Sequence, residues 1–197
     1  MNPTDITRAY GTRALEYARG QGQLSATPGW QREMLSRWAL LHDGALLDLG
    51  CGPGHLTAFL SDQGRRIRGI DPVPEFLEIA RHRHPDVEFL PGDTGRLPAG
   101  TATGILAWYS LIHLPPGDMP DVLARLHQHL RPGGGLLLSM FTSPHLREFA
   151  HPVGRAWAWP AEELGALLEN AGFLVEDTLI DGSPQFGHMF LTARRPG

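Results

Sequence analysis

Leu46-Leu47-Asp48-Leu49-Gly50-Cys51-Gly52-Pro53-Gly54-His55-Leu56-Thr57 joins a short apolar run to a helix-forming segment through glycines at every second position. A buried strand, a turn of residues without Cβ and a helix start make the first strand–helix junction of an open parallel sheet. In such a sheet ligands sit beyond the carboxyl ends of the strands. Glycines let the backbone turn sharply and let a ligand lie against main-chain atoms. A dinucleotide fingerprint, G-x-G-x-x-G, requires glycine at 55, where this chain has His55. Asp48, at the strand end, repels a pyrophosphate and suits a cationic ammonium.

On either side of this junction, apolar runs alternate with amphipathic segments, the pattern of a doubly wound α/β sheet. Strands are expected at 45–49, 66–71, 87–90, 103–110 and 136–141. Helices are expected at 53–63, at 74–83 (ended by Pro85), at 119–130 (closed by Arg131-Pro132-Gly133-Gly134) and at 160–170 (leaving through Ala171-Gly172). The connection 142–159 is rich in turn residues. Two last strands, 173–180 and 187–194, flank Asp181-Gly182-Ser183-Pro184 as an antiparallel hairpin on the sheet edge. Upstream, 4–19 and 28–42 are expected to be helical, around a break at Gly20-Gln21-Gly22-Gln23. Ile6, Tyr10, Ala14, Tyr17 and Ala18 share one face of the first helix, and Trp30, Met34, Trp38 and Leu41 one face of the second. The expectation is one domain over 1–197, with a helical cap at 1–43 and a ligand-binding core at 44–197.

Composition narrows the function. In 197 residues, 42% are hydrophobic and 19% charged, as in a globular protein, and the formal charge of −4 offers no basic stripe for nucleic acid. All 17 of the Lys+Arg residues are Arg, which removes lysine Schiff-base chemistry. Cys51 stands alone, and no segment approaches the about 18 apolar residues of a membrane span. The start lacks a charged region followed by an apolar run, so a cytoplasmic protein without a membrane partner is expected. No metal site is expected: His145 and His151 are six apart, a spacing that matches no zinc motif.

Asp71 ends the second strand seventeen residues after Gly54, where an ionised carboxylate accepts from both hydroxyls of a ribose. Together with Asp48 it points to an adenosine-type ligand carrying a cation. From about 45 to 194 the chain resembles the class I S-adenosylmethionine (SAM)-dependent methyltransferases. Asp48-x-Gly50-x-Gly52-x-Gly54, with Cys51 inside it, matches the first motif of that family. Asp71, followed by Pro72, matches its ribose-binding acid. Gly92-Asp93-Thr94 matches the position whose Asp meets the adenine amino group. Leu130-Arg131-Pro132-Gly133-Gly134-Gly135 and Leu168-Glu169-Asn170-Ala171-Gly172-Phe173 match two later landmarks. One departure is Thr103-Gly104-Ile105, where many relatives carry an acid. The resemblance implies a Rossmann-like, seven-stranded sheet in the order 3-2-1-4-5-7-6 with strand 7 antiparallel. It implies SAM as methyl donor and S-adenosylhomocysteine (SAH) as product. The segment Trp108-Tyr109-Ser110-Leu111-Ile112-His113 then lies beside the reactive methyl, with Trp108 on the cofactor and Ser110 toward the substrate.

Several side chains have two readings. His113 and Tyr109 are the expected catalytic side chains, His113 as a general base or substrate-orienting group, with a histidine that holds the 113–117 loop as its other reading. Tyr10 and Tyr17 either line a lid over the ligand or pack the cap helices, and His151 and Trp159 either wall the acceptor or pack the connection after the fifth strand. Cys51 meets a need for small size and has nothing beside it to activate a thiolate. With about forty residues before the first strand and no large insertion, the expected acceptor is a small molecule. The alternatives are a SAM- or nucleoside-binding module without turnover and a SAM-dependent enzyme of other chemistry. The sequence leaves the oligomeric state open.

Overall fold

The computed structural model describes residues 3–95, 100–183 and 185–197; Pro184, in the turn expected at 181–184, lies outside the described residues. Its helices are α1 (Pro3–Thr12), α2 (Ala14–Arg19), α3 (Gly29–Leu40), α4 (His55–Asp62), α5 (Pro74–Arg83), α6 (Met119–His129) and α7 (Ala161–Asn170). Its strands are β1 (Leu46–Leu49), β2 (Ile67–Asp71), β3 (Phe89–Pro91), β4 (Ala102–Trp108), β5 (Leu130–Thr142), β6 (Arg147–His151), β7 (Gly154–Trp159), β8 (Leu174–Ser183) and β9 (Phe186–Arg194).

The fold is a Rossmann-like α/β sheet. β3, β2, β1, β4 and β5 run parallel in that spatial order, β9 lies antiparallel beside β5, and β8 pairs β9 at the edge. These seven reproduce the expected order. The correction is the strand count, because 142–159 is more than a turn-rich connection: it carries the hairpin β6–β7. β9 holds one edge of β5 through Thr142, while β4 holds the other only to Ser139. β7 therefore pairs Phe141 and Thr142 on the edge that β4 has left. That position puts the hairpin directly above the carboxyl end of β4.

Alternating residues of the central strands feed two cores, as the period of a strand requires. Leu46, Leu106 and Leu137 face α3 and α4 through Leu35, Trp38, Leu56 and Leu60. Leu47, Ile105, Leu136 and Leu138 face α6 and α7 through Leu123, Leu126, Leu164 and Leu168. α3 is thus a layer of the core, and its buried face is Gln31, Leu35, Trp38 and Ala39. This corrects the expected face, since Leu41 is 78% exposed and Trp30 is 40% exposed. The first expected helix breaks at Arg13 into α1 and α2, whose Tyr10 and Tyr17 pack on Phe76 of α5.

Two glycines seat α3 on the sheet. Gly104 and Gly135 are partners across β4 and β5; a Cβ at Gly104 meets Leu46 of β1 and Trp38 of α3, and one at Gly135 meets the ring of His42, two residues after α3. Trp38 and His42 themselves stack edge to face at 5.2 Å between centroids. The segment read as a turn at 131–134 is a bulge in β5, between the pairs Ala102↔Leu130 and Gly104↔Gly135.

Gly135→Ala should cost about 1–3 kcal/mol in urea unfolding because the added methyl overpacks against the His42 ring. Adding His42→Ala should recover part of that loss, since the two sites are in contact and do not act additively.

Candidate functional site

Gly50, Gly52 and Gly54 all have positive φ (72°, 54° and 82°), the left-handed region that disfavours a Cβ. The turn is tied to β2 by main-chain bonds. The Gly50 and Cys51 amides donate to the Ile70 carbonyl at 2.7 and 3.1 Å. Asp71 continues the clamp, accepting from Gly52 N–H on Oδ2 and from Val73 N–H on Oδ1, each at 2.8 Å. The three glycines serve different ends. A Cβ at Gly50 runs into the Ser110 side chain and one at Gly54 into the Phe89 ring, whereas one at Gly52 meets only Tyr17, at 4.0 Å. Gly52 opens onto a cavity of about 550 Å³.

That cavity lies at the carboxyl ends of the central strands. Asp48, Gly50, Cys51 and Gly52 form its floor, Tyr10, Tyr17 and Gln31 lie on the cap side, and Trp108, Tyr109, Phe141, His151, Asp181 and His188 line the far wall. A second hollow of about 620 Å³ sits on the sheet near Gly44, Arg68 and Thr101. Its described lining has no acid, histidine or aromatic ring, so the chemistry belongs to the smaller one.

Asp48 is buried, and its carboxylate accepts from Thr57 Oγ1 at 2.6 Å. Burial pushes its pKa up to about 7; the Thr57 bond lowers it and the nearby Asp71 charge raises it. Burial likewise lifts Asp71 to about 6 against the pull of its two amide bonds. No Arg bridges to either acid among the described residues. A cation arriving at Asp48 would complete a charge pair that the protein leaves open.

The far wall is held by hydroxyl–imidazole bonds. Tyr109 keeps φ at 52°, fixed by its N–H donating to Ser139 Oγ at 2.9 Å. Burial and, after it, the Asp181 charge raise its pKa, so the hydroxyl keeps its hydrogen. It lies in hydrogen-bond contact with His188 Nδ1, at 2.7 Å. His151 Nδ1 accepts from Val153 N–H at 3.4 Å, and burial first, then the charges of His113 and Arg13, bring its pKa to about 4. Its Nε2 is therefore a donor.

His113 stands behind this wall and does not line the cavity. Its Nδ1 meets the Arg155 carbonyl, which only accepts, so Nδ1 carries the hydrogen and Nε2 accepts from Tyr10 O–H at 3.0 Å. Burial lowers its pKa, against the Arg155 bond. This geometry matches the loop-holding reading of His113. Tyr10 and Tyr17 combine their two readings: they line the cavity and also pack on Phe76, close enough to Asp71 for its charge to raise their pKa values.

Asp48, Gly50, Cys51, Gly52, Trp108, Tyr109, Tyr10, Tyr17 and His151 are brought together at the cavity. Asp71 lies beneath the loop instead of on the cavity wall, and Gly54, at the start of α4, faces Phe89 and Ala80. Pro72 is exposed. Asp93 turns back to accept from Gly95 N–H at 2.8 Å, and the Thr94 carbonyl accepts from His129 Nε2. Ser110 buttresses Gly50, with its Oγ buried and unpaired, and Trp159 is a core residue. The sequence reading missed Asp181, His188 and Phe141. His188 carried a signal, as the polar member of the same-face series Phe186, His188, Phe190. No group of three or more metal-ligating side chains occurs among the described residues, and no described helix is long and apolar enough to cross a membrane.

Residues 26–178 match the family model described as "Methyltransferase domain". The chain is 32% identical over 148 residues to a malonyl-[acyl-carrier protein] O-methyltransferase of Serratia marcescens, covering 73% of this chain and 56% of that protein. It is 38% identical over 141 residues to a trans-aconitate 2-methyltransferase of an Azoarcus species, covering 68% and 54%. The chain thus spans little more than half the length of these two relatives. Among solved structures, the 1,6-didemethyltoxoflavin-N1-methyltransferase of Burkholderia thailandensis, with bound 1,6-didemethyltoxoflavin and SAH, superposes with a TM-score of 0.73. That match is 25% identical and covers 100% of this chain and 92% of that one.

An acid whose folded pKa is raised destabilises the folded state once it ionises: the native chain holds protons that the unfolded chain has released, so stability falls as pH rises. For Asp48 that window runs from about pH 4 to about 7. Asp48→Asn should gain stability over the parent protein across that window, the gap widening toward pH 7 and then levelling off. Urea unfolding of both proteins, free of ligand, at a series of pH values measures it; a constant gap contradicts the assignment.

Proposed function

Because the chain belongs to the class I SAM-dependent methyltransferases, we propose that it binds SAM in the cavity above Asp48 and transfers the methyl group to a small-molecule acceptor held against Tyr109. The observation that carries this reading is the buried Asp48 carboxylate, unpaired by any cation among the described residues, at the floor of an open glycine turn. A zwitterionic ligand bearing an ammonium fits that acid, and the absence of a Cβ at Gly52 gives it room to lie against the main chain. The SAH-bound relative of similar fold supports the same ligand.

When bound, SAM supplies an electrophilic methyl on a sulfonium. The chain's own residues then align and shield. Asp48 receives the ammonium, the clamp from Asp71 holds the loop in its turn, and Trp108, Tyr109 and Phe141 keep water from the reacting atoms. Tyr109, whose hydroxyl is committed to His188, serves as a fixed wall and not as a base. The reading includes 1–43 as a segment that closes over the ligand, supported by the Tyr10–His113 bond and by Arg13 Nη1 donating to the Pro152 carbonyl at 2.7 Å. It also includes a cytoplasmic location, supported by the single cysteine, and a substrate other than nucleic acid, supported by the charge of −4.

Calorimetry with SAM and SAH tests the reading. A protonated Asp48 must release its proton before an ammonium pairs with it, so affinity should fall as pH drops below about 7, with proton release in proportion. Asp48→Asn should bind at least roughly tenfold more weakly and lose that pH dependence. Absence of SAM and SAH binding by the parent protein defeats the proposal. Binding without SAH production across a broad acceptor panel favours a binding module.

A further inference from the structure

We propose that the acceptor end of the cavity takes a flat, uncharged or cationic ring system bearing an N–H or O–H, with Asp181 as the group that receives this hydrogen, and that it rejects free carboxylates. The proposal rests on the methyltransferase reading and names the substrate class of the same site.

The first argument is shape. Trp108 and Phe141 flank Tyr109 at 5.8 and 5.4 Å between centroids, and all three line the cavity. Tyr109 is held rigid by its left-handed backbone and by bonds at both ends, to Ser139 and to His188. Fixed ring faces bind a planar partner by offset or edge-to-face contact without further ordering of their own.

The second argument is charge. The chain has no lysine, and no Arg lines the cavity among the described residues. The nearby Arg13 is already committed, with Nη2 2.6 Å from Glu16 and Nη1 on the Pro152 carbonyl. The acidic residues of the lining are Asp48 and Asp181. With Asp48 at the donor end, a carboxylate acceptor would enter beside the like charge of Asp181 with no protein cation lining the cavity, among the described residues, to receive it.

The third argument is the hydrogen-bond inventory. The imidazole nitrogens on this side already have partners: His188 Nδ1 the Tyr109 hydroxyl, His151 Nδ1 the Val153 N–H and His113 Nε2 the Tyr10 hydroxyl. Asp181 has no ion pair among the described residues, yet it lies near enough to Tyr109 to act on its hydroxyl. It is the carboxylate at this end with lone pairs to offer, and register places it opposite His188 across β8 and β9. A ring N–H or O–H bonded to Asp181 turns its nucleophilic atom in a fixed direction, while the Nε2–H of His151 is available to a ring carbonyl.

Calorimetry on the SAH-saturated protein tests this, using lumazine, 8-hydroxyquinoline and a β-carboline as flat probes and trans-aconitate and malonate as carboxylates. Saturable binding of at least one flat probe and of neither carboxylate is expected. Asp181→Arg should weaken the flat probe at least roughly tenfold and admit trans-aconitate. Asp181→Asn, which keeps size and removes charge, should weaken it less and serves if the Arg variant does not fold. Failure of every flat probe to bind, a carboxylate binding as tightly as the best of them, or an Asp181 variant of unchanged preference each overturns the proposal. Loss of SAH binding by the parent protein is a separate result: it removes the methyltransferase reading and this proposal with it.

Discussion

The carboxylate of Asp71 holds the cavity floor together. By accepting from Gly52 on one oxygen and Val73 on the other, it binds the glycine turn after β1 to the turn after β2. Each bond is of the charge-assisted kind, stronger than an ordinary amide pair when the acid is ionised. The position of Asp48 and the opening at Gly52 follow from that clamp. The turn in turn needs Gly50, because Ser110 from the end of β4 occupies the place of a Cβ. Three strand ends are thus locked around one loop before any ligand arrives.

The parallel half of the sheet was legible because each βα unit announces itself locally. Glycine and proline end the elements, and apolar residues recur at the period of the element they build. Asp48, Gly50 and Gly52 were legible for the same reason, being fixed by spacing within one turn. The hairpin β6–β7 was not, since its strands are stabilised by an edge of β5 that becomes free only because β4 stops at Ser139. Asp181 and His188 were hidden in the same way. They meet Tyr109 through the registers of β8 on β9 and of β9 on β5, which no local pattern records. Asp93, Pro72, Ser110 and Trp159 occupy the expected sequence positions, but their side chains turn to loop, surface or core.

The histidines show how the choice of tautomer follows from neighbours. His151 and His113 each have one nitrogen fixed by a main-chain partner, the Val153 N–H that only donates and the Arg155 carbonyl that only accepts, so the role of the other nitrogen is determined. His113 drew attention by its sequence position, next to the segment expected at the methyl group. In space it supports Tyr10 from behind, and the ring that reaches Tyr109 is His188.

β5 outruns β4 by the residues from Met140 to Thr142, and the hairpin is moored on that overhang. The overhang works like a mounting rail. What is fastened there overhangs one end of the reaction chamber, yet it contributes no residue to the loop that receives the donor. The hairpin supplies His151 and Pro152 to the cavity lining, beside the Tyr109, Phe141 and His188 that the sheet itself provides. A few residues of strand edge thus carry the whole of this corner of the cavity.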